Sequence, residues 1–468
     1  MGIALLKKLN NSLPDSVKLL GAPFIRRQLI YNKIFQNQLN QLNEGDLYTD
    51  SQLKEYQMEK LRDILIHAYE HTIYYKKVFD KIGFDPKEFN DINEFKKIPL
   101  LTKEIIQKNY EELQSDDIKD FYLGETGGSS GEPLKLLLDK ESIYREKAFI
   151  YHFWSKYGYD YKHTRIVTFR GVEFNNKISK INPLYNEMLL NPFVLSEQNV
   201  ELYIKKIEDF KADYIHGYPS AIANFCRLVH KKNFSLKRKI HAVFLISENC
   251  TSEQKQLIET TLKCKTVAFY GHTERAVFAE QEGYKKSYKF NKFYGYTEIQ
   301  EHTKGNIVCT GFINRKFPLI RYAVDDEAIK VADDSYKVKG HRNGDCLYGR
   351  NGEMVTQAAL NFHDDTFEKT CGYQIYQDKL GIAQCRVQSE YKLEEDDLRK
   401  IKNALERKSN SVLVWDVIQV SSFELTKRGK FKLIIQKCKI DKVSRGGVIP
   451  ILLYNTPNVF YKDNRRGA

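Results

Sequence analysis

The ten residues Gly124-Glu125-Thr126-Gly127-Gly128-Ser129-Ser130-Gly131-Glu132-Pro133 form the most unusual segment of the chain. Glycines let backbone N–H groups approach an anion closely, and Ser and Thr hydroxyls add donors. Thr126, Gly127, Gly128, Ser129, Ser130 and Gly131 can therefore wrap phosphate oxygens. No Lys-Ser or Lys-Thr pair closes the segment, so it is not a P-loop, and on composition alone a surface turn fits as well. Downstream lie a short basic-aromatic run, His216-Gly217-Tyr218-Pro219, and a pair, Ser247-Glu248. They are followed by Tyr270-Gly271-His272-Thr273-Glu274, the acidic pair Asp325-Asp326, then Arg350 and Lys430. Taken singly, each has an ordinary reading. Tyr270 fits a core aromatic, Glu274 a helix cap, Asp325 and Asp326 a turn, and Lys430 a solvated strand end. His216 and His272 fit satisfied structural histidines.

The elements that must position these groups follow from periodicity. Residues 1–80 read as helical, with Leu53, Tyr56, Leu61, Leu65, Ala68 and Tyr69 near helical spacing. Thr102 is a candidate N-cap for a helix after Pro99-Leu100-Leu101. Behind the glycine-rich segment, Leu134–Leu138 reads as a strand and 142–157 as a helix. Strands at Ile166–Phe169, Tyr214–His216, Ala242–Ile246 and Thr266–Tyr270 then alternate with helices at Gln198–Phe210, Ser220–His230 and Ser252–Leu262. That alternation predicts an α/β core with much parallel sheet. From 285 short strands and turns predict an added β-rich subdomain. Beyond a break at Gly349-Arg350-Asn351-Gly352 a smaller α+β piece follows, with a helix near 393–408. The expected division is a large domain over 1–349, helical over 1–100, and a small one over 350–468.

Composition narrows the function classes. Hydrophobic residues make up 42% and charged residues 29% of 468, which is enough apolar matter for a packed core. The net charge of +13 favours anionic partners such as nucleotides. It is spread along the chain with no aromatic RNA-binding signature or zinc-finger spacing, so nucleic acid is not expected. The eight cysteines include no C-x-x-C pair, which fits reduced thiols. With no signal-peptide run and no apolar stretch near the ~18 residues of a membrane span, a cytoplasmic location is expected.

The order of the segments carries more than any one of them. Thr126–Pro133 resembles the phosphate loop of the adenylate-forming superfamily, which includes acyl-CoA synthetases and peptide-synthetase adenylation domains. Tyr270-Gly271-His272-Thr273-Glu274 is similar to that family's Tyr-Gly-x-Thr-Glu segment. Phe317-Pro318-Leu319-Ile320-Arg321-Tyr322 with Asp325-Asp326 is similar to its Pro-Leu-Ile-Arg-Tyr…Asp segment. Gly349-Arg350 falls at its hinge, and Thr426-Lys427-Arg428-Gly429-Lys430 resembles its late Gly-Lys segment. The stretches Gln57–Tyr75 and Pro99–Lys103 resemble the phenylacetate–CoA ligase-like branch and, within it, the capsular-polysaccharide (CapK-type) group. Glu132 stands where the family often has Lys, Asp325 where Gly is usual, and Glu353 where Asp is common.

The resemblance implies an α/β fold with a large adenylation domain of mixed and parallel sheets, a β-rich subdomain and a small α+β C-terminal domain. It implies ATP and Mg²⁺ as cofactors, with CoA as one option. Thr126, Gly127, Gly128, Ser129, Ser130 and Gly131 would hold phosphates. Ser247, Glu248, Tyr270, Gly271, His272 and Thr273 would line the nucleotide. Asp326 would take the ribose hydroxyls, Arg350 would sit near ribose and phosphate, and Glu274 would hold the metal. Lys430 would reach the carboxylate and α-phosphate. His216, Gly217, Tyr218 and Pro219 would line the acyl pocket. The expected partners are a small carboxylic acid and an amine or CoA acceptor, with peripheral contact to a membrane or lipid-linked glycan. The expected activity is ATP-dependent acyl-adenylate formation and transfer in surface-polysaccharide biosynthesis. An acyl-CoA ligase is one alternative, and a non-catalytic nucleotide-binding protein is another.

Overall fold

The computed structural model describes residues 26, 30–125, 134–170, 177–248, 250–339, 346–360, 362, 365–370, 372–389, 391–424 and 433–438. Thr126–Pro133, Thr426–Lys430 and the tail 444–468 lie outside them.

In chain order the strands are β1 (Phe121–Glu125), β2 (Lys135–Asp139), β3 (Ile166–Phe169), β4 (Ser179–Asn182), β5 (Glu187–Leu190), β6 (Tyr214–Gly217) and β7 (Ala242–Leu245). They continue with β8 (Lys265–Gly271), β9 (Phe278–Gln281), β10 (Tyr288–Phe290), β11 (Gly295–Ile299), β12 (Lys304–Gly311), β13 (Tyr322–Ala332) and β14 (Ser335–Lys339). The last are β15 (Cys346–Tyr348), β16 (Met354–Thr356), β17 (Gly372–Lys379), β18 (Ile382–Gln388), β19 (Val414–Gln419) and β20 (Ile434–Gln436).

Twelve of them form one sheet in the order β11-β12-β13-β14-β10-β9-β8-β7-β6-β3-β5-β4. Strands β5, β3, β6, β7 and β8 run parallel. The first antiparallel pairing beyond them is β8 with β9. The expected parallel core and β-rich subdomain are thus two halves of one sheet, joined at β8. All four residues of β3 and of β7 are buried, as parallel strands covered on both faces require. Alternate residues face opposite cores. Val167, Phe169, Ile215, Val243 and Leu245 pack with Tyr203, Ile222, Phe225 and Ile258 from the helices Val200–Asp209, Pro219–Lys231 and Ser252–Leu262. Ile166, Tyr214, Ala242, Phe244 and Val267 face Phe35, Phe149, Phe153 and Trp154 from the helices Lys33–Gly45 and Lys140–Ser155. The helix Ser252–Leu262 starts at a Thr251–Gln254 capping box, an arrangement worth about 1 kcal/mol per satisfied cap.

The N-terminal helices Asp50–His71 and Ile73–Ile82 cover the antiparallel half. Their Leu61, Leu65, Tyr75 and Phe79 share a core with Ile299, Ile307, Cys309 and Tyr322. At the other end of the chain, β19-β18-β17-β20 form a separate four-stranded sheet. It shares a core with the helix Glu395–Lys408, and Leu347 of β15 and Val355 of β16 belong to the same core. The described cysteines are free thiols. No helix among the described residues is long and apolar enough to cross a membrane.

Two segments flagged in the sequence meet directly. Leu101 bridges Tyr322 in parallel register, and Thr102 caps the short helix Lys103–Lys108 through Ile105 N. Arg321 takes a left-handed φ of +50°. Its guanidinium forks onto Glu298 at 3.0 and 3.1 Å and donates to the carbonyls of Lys96 and Ile98 at 2.6 and 2.5 Å. Lysine keeps the charge but cannot make this fork. Arg321→Lys is expected to cost on the order of 2 kcal/mol. The check is the urea midpoint, which should fall with an unchanged m-value; an unchanged midpoint would refute this assignment.

Candidate active site

The C-terminal ends of parallel strands are where an open α/β sheet exposes its backbone to a ligand. Strands β6, β7 and β8 end side by side, and each end carries residues singled out in the sequence.

Strand β6 contributes His216 and Gly217, followed by Tyr218 and Pro219 at the start of the helix Pro219–Lys231. Gly217 has φ +143°, and a Cβ there would stand 2.3 Å from the Phe169 carbonyl oxygen. His216 Nδ1 lies 2.9 Å from the Phe244 carbonyl oxygen. A carbonyl only accepts, so Nδ1 carries the proton. The ring meets Trp154 edge-on at 5.0 Å. Burial pushes the His216 pKa down to about 4, against the pull of the Phe244 hydrogen bond, and Arg170 adds to the depression.

Strand β7 leads into Ser247, whose φ is +67°. Glu248 N donates to the Ile246 carbonyl at 2.9 Å, closing a three-residue turn of a strained type that clusters at functional sites. Glu248 Oε2 accepts from Ser220 N at 3.2 Å. Tyr218 offers no side-chain cap, so Glu248 places its charge at the positive end of that helix from the neighbouring strand.

Strand β8 carries Tyr270 and Gly271, followed by His272, Thr273 and Glu274. The Tyr270 hydroxyl donates to Asp326 Oδ2 at 2.7 Å and meets His272 Nε2 at 2.5 Å. His272 Nε2 is 3.7 Å from the same carboxylate. Burial, then the Asp326 charge and its hydrogen bond, hold the Tyr270 phenol well above its ordinary range. Asp326 reaches this group through a bulge. Between the pairs Asn306–Glu327 and Val308–Ala323, the single residue Ile307 faces Val324, Asp325 and Asp326. Such a bulge re-aims a side chain beside a site.

Glu274 lies in the turn between β8 and β9. No helix follows it, so the cap reading does not apply. The residue is half-buried, and among the described residues its carboxylate makes no hydrogen bond or ion pair. An ionised carboxylate in that state is costly unless a cation or solvent meets it. It therefore fits a metal ligand.

Two features of this turn were not flagged in the sequence. Arg275 has φ +54°. Its buried guanidinium donates to Glu146 Oε2 at 2.9 Å and Ser142 Oγ at 2.5 Å, and stands 5.7 Å over the Tyr122 ring. Gly295 and Gly311, paired across β11 and β12, let the turn sit against the sheet. A Cβ on Gly311 would be 2.8 Å from both Ala276 Cα and the Arg275 oxygen, and one on Gly295 3.0 Å from the Ala276 oxygen. The signal was available only as glycines inside strand patterns.

Arg350 is exposed in the β15–β16 turn. Its chain packs on the β17–β18 turn, where a Cβ on Gly381 would come 2.1 Å from Arg350 Cγ. Among the described residues it therefore packs against that small unit. Thr126, Gly127, Gly128, Ser129, Ser130 and Gly131 lie outside the described residues. The strands flanking them, β1 and β2, pair in register from Phe121–Asp139 to Glu125–Lys135. Lys430 is outside the described residues too.

None of the family models matches the chain. In sequence it is similar to Protein CapK of Staphylococcus aureus, 23% identical over 364 residues, 74% of this chain and 78% of that protein. It is also similar to phenylacetate-coenzyme A ligase of Escherichia coli (strain K12), 34% identical over 59 residues, 13% of this chain and 14% of that one. Among solved structures, 2-hydroxyisobutyryl-CoA ligase in complex with 2-HIB-AMP and CoA is 14% identical. It covers 84% of this chain and 91% of that chain, with a TM-score of 0.49. In sequence, and in the order of its motifs on this fold, the chain is similar to adenylate-forming ligases and resembles CapK among them.

Two outcomes follow from this geometry. The folded pKa of His216 lies below the unfolded value near 6.5, so the unfolded chain takes up a proton first as pH falls. Its contribution is complete above about pH 6.5 and is lost down to about pH 4, a loss on the order of 3 kcal/mol. His216→Asn keeps a donor for Phe244 without titrating there, so urea midpoints at pH 7.5 and 5 should differ less than in the parent. Gly311→Ala should cost about 1–3 kcal/mol, because the atoms in its way are backbone; an unchanged midpoint would show that the turn does not rest on β12.

Proposed function

We propose that the chain activates a carboxylic acid with MgATP, forming an acyl-adenylate and pyrophosphate, and then passes the acyl group to an acceptor. The observation that supports this reading most is the Tyr270–Asp326–His272 group at the end of β8, next to the half-buried Glu274 carboxylate. In this reading Asp326 accepts from both ribose hydroxyls, which a carboxylate does well. Tyr270 holds its other oxygen and lies along the adenine, with Gly271, His272, Thr273, Ser247 and Glu248 at its edge. Thr126, Gly127, Gly128, Ser129, Ser130 and Gly131 bind the phosphates that leave. Glu274 is the metal ligand, and bound Mg²⁺ would neutralise phosphate charge. Lys430, from the small 350–468 domain, stabilises charge gathering on the α-phosphate and carboxylate, and Arg350 turns with that domain toward ribose and phosphate. His216, Gly217, Tyr218 and Pro219 form the acyl wall, where a neutral imidazole spares the acid an ion pair in the ground state.

The enzyme in this scheme works by position and charge rather than by proton transfer. For the acceptor we propose an amine on an amino acid or amino sugar, in surface-polysaccharide biosynthesis at the cytoplasmic face of the membrane. The likeness to CapK supports the surface-polysaccharide setting. The 59-residue likeness to phenylacetate-coenzyme A ligase supports a second reading, in which the acceptor is CoA.

Pyrophosphate release from MgATP with a panel of amino, aryl, fatty and uronic acids tests the proposal. One acid class should stimulate release, and Glu274→Gln and Lys430→Ala should each reduce it about 100-fold or more, the scale of a lost electrostatic contact. Full activity in either variant would remove that residue from the site, and failure of the parent to bind ATP would overturn the reading.

A further inference from the structure

Away from this site, the C-terminal end of the helix Asp50–His71 brings three potential ligands together. His67 and His71, one turn apart on one face, meet Asp117. Their ligand atoms lie within 4.8 Å of one another. His67 Nδ1 is 3.7 Å and His71 Nε2 3.8 Å from Asp117 Oδ2. In the neutral rings, the state that binds a metal, the opposite nitrogens fix the tautomers. His67 Nε2 is 2.9 Å from the Arg315 carbonyl oxygen, which can only accept, so Nε2 is protonated and Nδ1 presents a lone pair. His71 Nδ1 is 2.9 Å from Asp116 Oδ1, so it donates there and Nε2 presents a lone pair. Asp117 Oδ1 is occupied by the Ser115 hydroxyl, which leaves Oδ2 facing both rings. Three acceptors thus converge at separations too long for a hydrogen bond.

Convergent lone pairs repel unless a cation lies among them. The nearby side-chain cations are engaged elsewhere. Arg315 pairs with Asp63 at 2.7 Å, Lys316 Nζ donates to the Ser115 carbonyl at 2.7 Å, and Lys119 Nζ to the Asp116 carbonyl at 2.6 Å. We infer that His67, His71 and Asp117 form a divalent transition-metal site of the zinc type, with an open position toward solvent. Metal–ligand bonds near 2.0–2.1 Å put tetrahedral ligand atoms roughly 3.3 Å apart. The half-exposed His71 and Asp117 side chains can close the difference. Each histidine already has the outer partner that metal-bound histidines use, a backbone carbonyl for His67 and a carboxylate for His71. The metal would pin the helix end to Ser115–Asp117 and, through Arg315, to the segment that enters β13.

Cobalt(II) added to the full-length metal-free protein tests the site, because its spectrum reports its ligands. The expected result is one equivalent bound with nitrogen–oxygen bands and no thiolate charge-transfer band, displaced by zinc and not by magnesium. His71→Asn and Asp117→Asn should each weaken binding about 100-fold with an unchanged circular dichroism spectrum. Asp116→Asn, which alters only the outer partner, should weaken it about 10-fold. Glu274→Gln should leave the signal intact, separating this site from the nucleotide site. A thiolate band, a signal indifferent to His71→Asn, or no binding at millimolar cobalt would each overturn the inference.

Discussion

The half-buried ion pair between Arg275 and Glu146 is the contact on which the site's geometry most depends. Arg275 follows Glu274 directly and holds a left-handed backbone conformation that an arginine adopts only under constraint. Its guanidinium reaches Glu146 and Ser142 on the helix Lys140–Ser155 and the ring of Tyr122 on β1. Burial weakens the case for a charged guanidinium, and Glu146 with neighbouring tyrosines reverses it, so its pKa ends raised. A pair of this kind adds little net stability, but removing one partner strands the other. Its effect is positional. It joins the turn after β8 to the hairpin β1–β2, whose connection is the glycine-rich segment, and so sets the Glu274 carboxylate relative to the frame of that segment.

That frame is tied to the sheet by a second buried polar group. Asn314 accepts from Asp139 N at 2.9 Å and donates to the Leu137 and Phe317 carbonyls at 3.1 and 3.3 Å. Asp139 in turn caps the helix Lys140–Ser155 through Ser142 N at 2.6 Å. One chain of satisfied bonds therefore runs from the helix start through β2 to the segment that leads into β13 and Asp326. Buried polar chains of this sort specify geometry more than they add stability, which suits a site that works by placement.

The α/β half was legible because its strands are short apolar runs bounded by turns and its helices are amphipathic. Ile166–Phe169 and Ser252–Leu262 have the bounds the pattern suggests. Strands β4 and β5, Ser-Lys-Ile-Asn and Glu-Met-Leu-Leu, were missed because β4 alternates weakly at the sheet's edge. Hairpin β17–β18 was missed because Gln374 and Gln377 are buried polar residues in strand interiors. Gln377 is satisfied by the Tyr348 backbone at 2.8 and 2.7 Å, and such pairing blurs the hydrophobic period of β17, although Ala383, Cys385 and Val387 alternate along β18. In the site, residue types and order were legible. The Asp326 bulge, the Glu248 cap on a neighbouring helix and the Arg275 clamp were not, because each depends on strand register or on partners more than 25 residues away.

The N-terminal helices, which the sequence assigns to the large domain without tying them to the site, constrain the same region. Tyr75 donates its hydroxyl to the Pro318 carbonyl at 3.1 Å and accepts from Ile320 N at 3.0 Å. Arg321 grips the Lys96 and Ile98 carbonyls, and His67 holds Arg315. Residues 313–322 are thus held at successive points from outside the sheet. Asp326 lies only four residues beyond Tyr322, on a strand whose register slips beside it. A bulge is a place where a strand can re-pair, and its position is defined only if the strand's entry is fixed. Tethering that entry to a separate helical layer fixes the bulge, and with it the distance from Asp326 to Tyr270. The helical layer therefore belongs to the site's architecture although none of its described residues lines it.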